Sequence, residues 1–351
     1  MRGFVHDQPS IRVVFGAGSL DRLGDEVRRL GAGRALVLST RGQRRAAEDT
    51  ARRLGNAAAG VYAEAVMHVP IEAAQAARET AVRLNADSLI AVGGGSTIGL
   101  AKAIALEAAL PIVAIPTTYS GSEMTSIYGL TDGGVKRTGR DPRVLPKTVV
   151  YDPALTVTVA PRVSATSGMN AMAHCVEALY ARDGNPVTSM LAAEGIRVLA
   201  RALPTVVAAP ADLDARSDAL YGAWLAGAAL GATSMGIHHR LCHTLGGSFN
   251  LPHADVHAVV LPHATAFNRD AAPEAMRRIA EQLGTPDAAE GIYDLAVRLG
   301  APTTLREIGM RHEDLDRAAR LATETRYDNP RPIEYEAVRQ LLESAFHGRR
   351  P

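Results

Sequence analysis

Ser88-Leu89-Ile90-Ala91-Val92-Gly93-Gly94-Gly95-Ser96-Thr97-Ile98-Gly99-Leu100-Ala101-Lys102-Ala103 passes from an apolar segment through three glycines into a helical pattern. A strand, a glycine turn and a helix N-terminus bring several backbone N–H groups and a positive dipole end to one point. Such a point suits a phosphate. Ser96 and Thr97 can cap the helix and also donate to phosphate oxygen. The spacing is not G-x-G-x-x-G, and no Gly-Lys-Ser/Thr follows, so neither the usual dinucleotide fingerprint nor a Walker loop is present. Gly93, Gly94, Gly95, Ser96 and Thr97 are cofactor-binding candidates on the strength of strand before and helix after.

Similar apolar runs at 12–15, 35–38, 111–115 and 148–151 alternate with helical patterns such as 42–54 and 71–85. Strands apolar on both faces and separated by helices predict a doubly wound α/β domain with a parallel sheet, spanning 1–155. After Asp152-Pro153 the pattern turns to Ala/Leu-rich stretches at 164–182, 187–208, 212–232, 272–284, 288–299 and 334–346. Turn residues part them, and strand-like runs are nearly absent. An all-α helical domain over 156–351 is expected, with no internal repeat and no low-complexity linker.

In open parallel sheets ligands lie outside the carboxyl ends of strands. The hydroxyl-rich run Pro116-Thr117-Thr118-Tyr119-Ser120-Gly121-Ser122-Glu123 follows the 111–115 segment and should face the same crevice as the glycines. Thr117, Thr118 and Ser122 are assigned to the cofactor and Tyr119 to the substrate. The 35–38 run ends in Ser39-Thr40-Arg41, where an acid would bind the ribose 2′-OH of NAD and repel a 2′-phosphate. No acid is there. Ser39 and Thr40 join the cofactor set, and Thr40 with Arg41 leaves room for NADP(H); the tripeptide reads equally as a surface turn.

With 351 residues, 47% hydrophobic and 21% charged, the chain has the length of two globular domains and the composition of neither a disordered nor a fibrous protein. A net charge of +1 offers no field for nucleic acid or anionic lipid. Only Lys102, Lys136 and Lys147 are lysines among 38 basic residues. The arginine bias reads as genome composition, or as ammonium groups kept at three places near the glycine motifs; Lys147 is assigned to the cofactor. Two cysteines, Cys175 and Cys242, suggest a reducing compartment. MRGFVHDQPS lacks a signal-peptide core and no apolar run approaches the ~20 residues of a membrane span, so a cytoplasmic location is expected.

Six of eleven histidines fall between His238 and His263. His239 and His243 are four apart and share one helix face, while His253 follows Leu251-Pro252 as a loop imidazole. Upstream, Asn170 and His174 are also four apart. Two such pairs plus a loop imidazole describe a site built between helices. His263 and His312 are expected to be independent of it. Three imidazoles suffice for Zn²⁺ or Fe²⁺ if a carboxylate or water completes the shell, but the fourth candidate, Asn170, is an amide. Either a metal binds weakly, or these groups serve the substrate directly. Cys175 and Cys242, each next to a site histidine, point elsewhere on their helices and are expected to pack.

Gly93-Gly94-Gly95-Ser96-Thr97, Pro116-Thr117-Thr118, the 170/174 pair, and His239-Arg240-Leu241-Cys242-His243-Thr244-Leu245-Gly246 through Leu251-Pro252-His253 resemble the iron-containing alcohol dehydrogenase superfamily. Tyr119-Ser120-Gly121-Ser122-Glu123-Met124-Thr125, the 136–143 segment, Ser167-Gly168-Met169-Asn170-Ala171 and Asn329-Pro330-Arg331-Pro332 look like its maleylacetate-reducing branch. The resemblance implies a dinucleotide-binding N-terminal domain, a helical C-terminal domain, a cleft between them and a homodimer. It implies reduction of maleylacetate to 3-oxoadipate by NADH or NADPH, in the breakdown of chlorinated or hydroxylated aromatics. The superfamily's metal ligands would fall on Asn170, His174, His239 and His253. Asn170 replaces the superfamily's Asp, in agreement with the branch that does not require a metal.

Reduction of a conjugated ketone leaves an enolate oxygen in need of a donor. His239, His243, His253 and the Asn170 amide are the expected donors, beside His174, with His243 the proton source. The small dicarboxylate substrate calls for cations, with Arg140 and Arg143, or His238 and Arg240, as candidates; the 136–143 run reads otherwise as a solvated hairpin. Two alternatives remain: a metal-dependent alcohol or aldehyde dehydrogenase of the same superfamily, and a biosynthetic relative with a different substrate. No nucleic-acid or membrane partner is expected.

Overall fold

Four buried strands set the frame of the first unit. In the computed structural model, which describes all residues except Met1, Arg2, Gln8 and Gly134 and the side chains of Val135 and Lys136, every residue of β2 (Ala35–Leu38), β4 (Ser88–Gly93), β5 (Ile112–Pro116) and β8 (Thr148–Tyr151) is buried. Apolar runs of this kind are stable only with helices on both faces, which is why they pair in parallel. The sheet runs β1-β8-β5-β4-β2-β3, with β1 (Arg12–Phe15) and β3 (Ala58–Tyr62) at its edges. Helices α1 (Leu23–Arg29), α2 (Arg44–Leu54), α3 (Ile71–Arg83) and α4 (Gly95–Ala108) connect its strands. Val27, Val37, Ile90, Val92, Val113, Ile115 and Val150 share one core under α1 and α2.

β6 (Ile127–Asp132) and β7 (Val135–Arg140) form a separate antiparallel ribbon between β5 and β8. The 136–143 run is thus largely a hairpin arm, with Arg140 exposed opposite Ile127. Lys136 lies outside the described side chains.

The second unit is helical: α5 (Pro161–Tyr180), α6 (Pro186–Ala208), α7 (Leu213–Ala232), α8 (Ile237–Phe249), α9 (His253–Phe267), α10 (Pro273–Leu283), α11 (Ala288–Arg298), α12 (Leu315–Thr323) and α13 (Tyr335–His347). The six expected helical stretches match α5, α6, α7, α10, α11 and α13 to within a few residues at either end. One core joins Ile237, Leu241 and Leu245 of α8 to Val256 and Val260 of α9 and to Val338 and Leu342 of α13.

The units divide at Thr158 and Val159 rather than at 155/156. The Pro153–Leu155 turn is capped by Asp152, and Leu155 packs on the sheet core, so these residues stay with the strands. Described residues of the leading segment belong to the second unit, where His6 Nδ1 lies 3.3 Å from Asn185 Nδ2. Among the described residues no helix is long and apolar enough to cross a membrane.

Candidate active site

In the first unit the glycine turn sits at the carboxyl end of β4. Gly93 has φ 154°, and a Cβ there would collide with Thr97 Oγ1 and lie 2.8 Å from Gln43 Oε1. A Cβ on Gly94, the residue before α4, would lie 2.7 Å from Thr118 Oγ1. Glycine is therefore required for close approach as well as for conformation. The first-turn N–H groups of Gly95 and Ser96 have no intrahelical acceptor by position, so with the helix dipole they suit an anion. Thr97 Oγ1 is buried without a hydrogen-bond partner, Thr117 is 3% exposed and accepts from Gln43 Nε2 at 2.7 Å, and Ser39 is buried at the end of β2. Thr40 is half-buried beside Ser39. The glycines, Ser96, Thr97, Thr117, Thr118, Ser39 and Thr40 thus share the carboxyl-end edge of the sheet. Gln43 is an addition that no motif announces.

Lys102 is wholly buried and donates to the carbonyls of Ser122 at 2.7 Å, Thr125 at 2.8 Å and Ile127 at 2.7 Å, and to Thr125 Oγ1 at 3.1 Å. Its ammonium holds the hydroxyl-rich loop to α4. Burial, opposed by Glu123 and aided by Arg140, pulls its pKa down to about 7. Ser122 serves the loop through its carbonyl. Two assignments fail here. Lys147 precedes β8 and its N–H bonds Ile112 O, which puts it at the amino end of the sheet. The glycines follow the other end, roughly 13 Å away at ~3.3 Å per strand residue. Tyr119 is 1% exposed and has almost no surface to offer a substrate.

In the second unit α5, α8 and α9 converge six imidazoles. His174 Nδ1 lies 2.8 Å from His239 Nε2, and His239 Nδ1 lies 2.6 Å from Glu177 Oε2. His257 Nδ1 is 2.9 Å from His238 Nε2, and its Nε2 is 3.2 Å from His253 Nε2. The His243 and His253 rings stack with centroids 6.3 Å apart, and the His239 and His243 centroids are also 6.3 Å apart. The expected set of His174, His239, His243 and His253 is therefore brought together, with Asn170 one turn before His174 on α5. His253 is not in a loop: it opens α9 after Pro252, whose fixed φ suits a helix start. His174, His238, His239 and His257 are buried, whereas His243 and His253 are half-buried and form the open side.

Glu177 and His257 are the residues the sequence reading missed. Glu177 is wholly buried and accepts from the N–H groups of Gly236 at 3.1 Å, His238 at 3.0 Å and His239 at 3.4 Å as well as from His239 Nδ1. It terminates the amino end of α8 and sets the His239 tautomer. With Nδ1–H donated to Glu177, His239 Nε2 accepts from His174 Nδ1–H. The available signal was position: Asn170, His174 and Glu177 fall at i, i+4 and i+7, one face of α5.

His238 was expected to be a cationic clamp, but burial, reinforced by His239, His174 and His243, pushes its pKa well below 6.5. A neutral imidazole bonded to His257 does not serve a carboxylate in that way. Arg240 donates to Leu321 O at 2.9 Å, and Arg143 is bound to Asp141. His263 is buried, with burial lowering its pKa to about 4, and His312 bonds Glu343. Cys175 is fully buried, and a Cβ on Gly195 of α6 would lie 2.6 Å from its Sγ; Cys242 Sγ lies 3.5 Å from His238 Nε2.

Asn170 Oδ1 is buried without a hydrogen-bond partner. With the three imidazoles it makes a donor set that fits a divalent cation in kind, though every donor is neutral.

The family model described as iron-containing alcohol dehydrogenase matches residues 9–153, and that described as Fe-containing alcohol dehydrogenase family, C-terminal, matches 164–346. The chain belongs to the iron-containing alcohol dehydrogenase family. It is an oxidoreductase of that family, and the sequence resemblance is upheld. The maleylacetate reductase of Burkholderia cepacia is 58% identical over 351 residues, covering all of both chains. That of Pseudomonas sp. strain P51 is 53% identical over 348 residues, 99% of each. The crystal structure of maleylacetate reductase from Agrobacterium tumefaciens covers 100% of both chains at 52% identity with a TM-score of 0.96.

Proposed function

We propose that this oxidoreductase reduces maleylacetate to 3-oxoadipate with NADH or NADPH, and that it needs no metal to do so. Full-length identity of 58% to a maleylacetate reductase carries the reading. When bound, a reduced nicotinamide would supply a hydride to the alkene carbon β to the ketone, which leaves an enolate. The glycines, Ser96, Thr97, Thr117 and Thr118 hold its pyrophosphate end.

The charge that develops on the ketone oxygen is met by N–H groups of the half-buried His243 and His253 and by the Asn170 amide, because His239 gives its Nδ1–H to Glu177 and His174 gives its own to His239. His243 and His253, on the open side, are the imidazoles able to recover a proton from water, and His243 delivers one to the carbon α to the ketone as the enolate returns to the ketone. Glu177 and His174 hold His239 in one tautomer, so its Nε2 keeps one orientation through turnover. Arg140, exposed on β7, takes a substrate carboxylate; Arg140→Ala should raise KM strongly and reduce kcat. Unchanged kinetics would remove that role.

A divalent cation, where present, would be held by Asn170, His174, His239 and His253 and would act as a Lewis acid on a carbonyl oxygen. Neutral ligands leave such an ion its full charge, which weakens binding relative to a carboxylate site. The deciding experiment follows NADH absorbance with freshly generated maleylacetate, with and without EDTA, on enzyme of known metal content. Turnover that survives EDTA supports the reading. Turnover lost to EDTA and restored by Fe²⁺ or Zn²⁺ would overturn the metal-free part, and no turnover in either case would overturn the substrate.

A further inference from the structure

The loop after β2 carries no acid, yet an acid stands beside it. Edge strand β3 pairs with β2 in parallel, Leu38 opposite Tyr62, and Ala65 N–H bonds Ser39 O at 3.0 Å. This register sets Glu64 next to Ser39 and Thr40. Its carboxylate binds Arg41 Nε through one oxygen and Arg44 Nη2 through the other at 3.1 Å. The same short turn, Arg41–Gln43, reaches the phosphate cradle, because Gln43 bonds Thr117 and lines Gly93.

In a doubly wound dinucleotide domain the adenosine ribose lies over the strand beside the glycine-turn strand, and its 2′ substituent meets the loop after that strand. Here that strand is β2, which pairs with β4, Leu38 opposite Ala91. We infer that Glu64, Arg41 and Arg44 form the cofactor's 2′-ribose site, and that Glu64 sets the balance between NADH and NADPH. The inference rests on the proposed use of a nicotinamide cofactor.

For NADH the Glu64 carboxylate accepts from the ribose 2′-OH while its two guanidinium partners stay in place. For NADPH the phosphate must take those guanidiniums from Glu64, and it repels the carboxylate as it does so. Arg41 and Arg44, with side chains 84% and 51% exposed, can turn toward a phosphate without disturbing the core. Both arginines hold Glu64 below the usual carboxylate range, with Arg41 the larger influence, so the group opposes a phosphate as an anion. The cluster thus admits both cofactors, and one charge sets the cost of the larger.

The test compares the wild type, Glu64→Gln and the double variant Arg41→Ala/Arg44→Ala. Binding of NADH and of NADPH is read from cofactor fluorescence, and kcat/KM for each cofactor from maleylacetate reduction. In Glu64→Gln the NADPH-to-NADH affinity ratio should rise about tenfold, the gain shrinking at high salt. In the double variant it should fall about tenfold. A ratio within about twofold of wild type in both variants overturns the inference, as does failure of the wild type to bind either cofactor. Cofactor binding without maleylacetate reduction counts against the proposed substrate alone, because the affinity ratio is read without it. Melting temperatures check that these changes leave the fold intact.

Discussion

Gly93 combines two demands in one residue, a φ of 154° and a neighbour where any Cβ would collide. Gly93→Ala should therefore weaken NADH binding by about tenfold or more and lower stability by ~1–3 kcal/mol. Cofactor titration and thermal unfolding measure the two effects, and wild-type affinity in the variant would remove the turn from the cofactor site. Asn170 supports a different prediction. Replacing its amide by a carboxylate in Asn170→Asp adds the missing charge, so Zn²⁺ affinity by equilibrium dialysis should tighten by at least about tenfold, ~1.4 kcal/mol. Equal affinity would mean that Asn170 Oδ1 does not face the ion. Residues such as Gly93, Thr97, His239 and His243 were legible because local spacing marks them. Gln43, Glu64, Glu177 and His257 were not, since each acts through partners that are distant in the chain or on another element.

At the scale of elements, legibility followed how strongly each segment repeats its period. The four buried strands announced themselves, whereas β3, Ala58-Ala59-Gly60-Val61-Tyr62, is an edge strand of mostly small residues and has little β signal. Missing β3 also hid Glu64. α8 and α9 carry histidines where apolar residues would mark a helix face, which is why His253 read as a loop. The N-terminus of α8 rests on Glu177, so Glu177→Gln turns an all-acceptor group partly into a donor against three N–H groups. We expect a loss of ~1–3 kcal/mol in stability together with a fall in kcat of about tenfold, and a KM much less affected. Thermal unfolding and steady-state kinetics check this, and an unchanged kcat would leave Glu177 a helix terminus only. On α13, Arg339, aided by His312 and His347, holds the Glu343 carboxyl down at about 2 against an ordinary 4.5. A depressed carboxyl stabilises the fold above its unfolded value and loses that contribution as pH falls. The melting-temperature gap between wild type and Glu343→Gln should therefore narrow between pH 4.5 and about 2; a gap constant over that range contradicts the linkage.

Across the whole molecule, the change from alternating strands and helices to helices alone was visible in composition, because a covered parallel sheet and a helical bundle need different periods. The division at Thr158 was less visible: Asp152 and Leu155 look like the start of a new region but are tied to the strands by a cap and by packing. This partition predicts how the cofactor stabilises the chain. Its proposed contacts lie in the first unit, so NADH binds the folded form of Pro9–Thr158 and shifts its unfolding by mass action. At a free concentration of about one hundred times Kd the shift amounts to ~2.7 kcal/mol. Calorimetry with and without NADH should show a raised melting temperature in the wild type and a smaller rise in Gly93→Ala at the same NADH concentration. The loss should match the ratio of their measured affinities. A shift of equal size in both would place the stabilising contacts away from the glycine turn, and with them the cofactor.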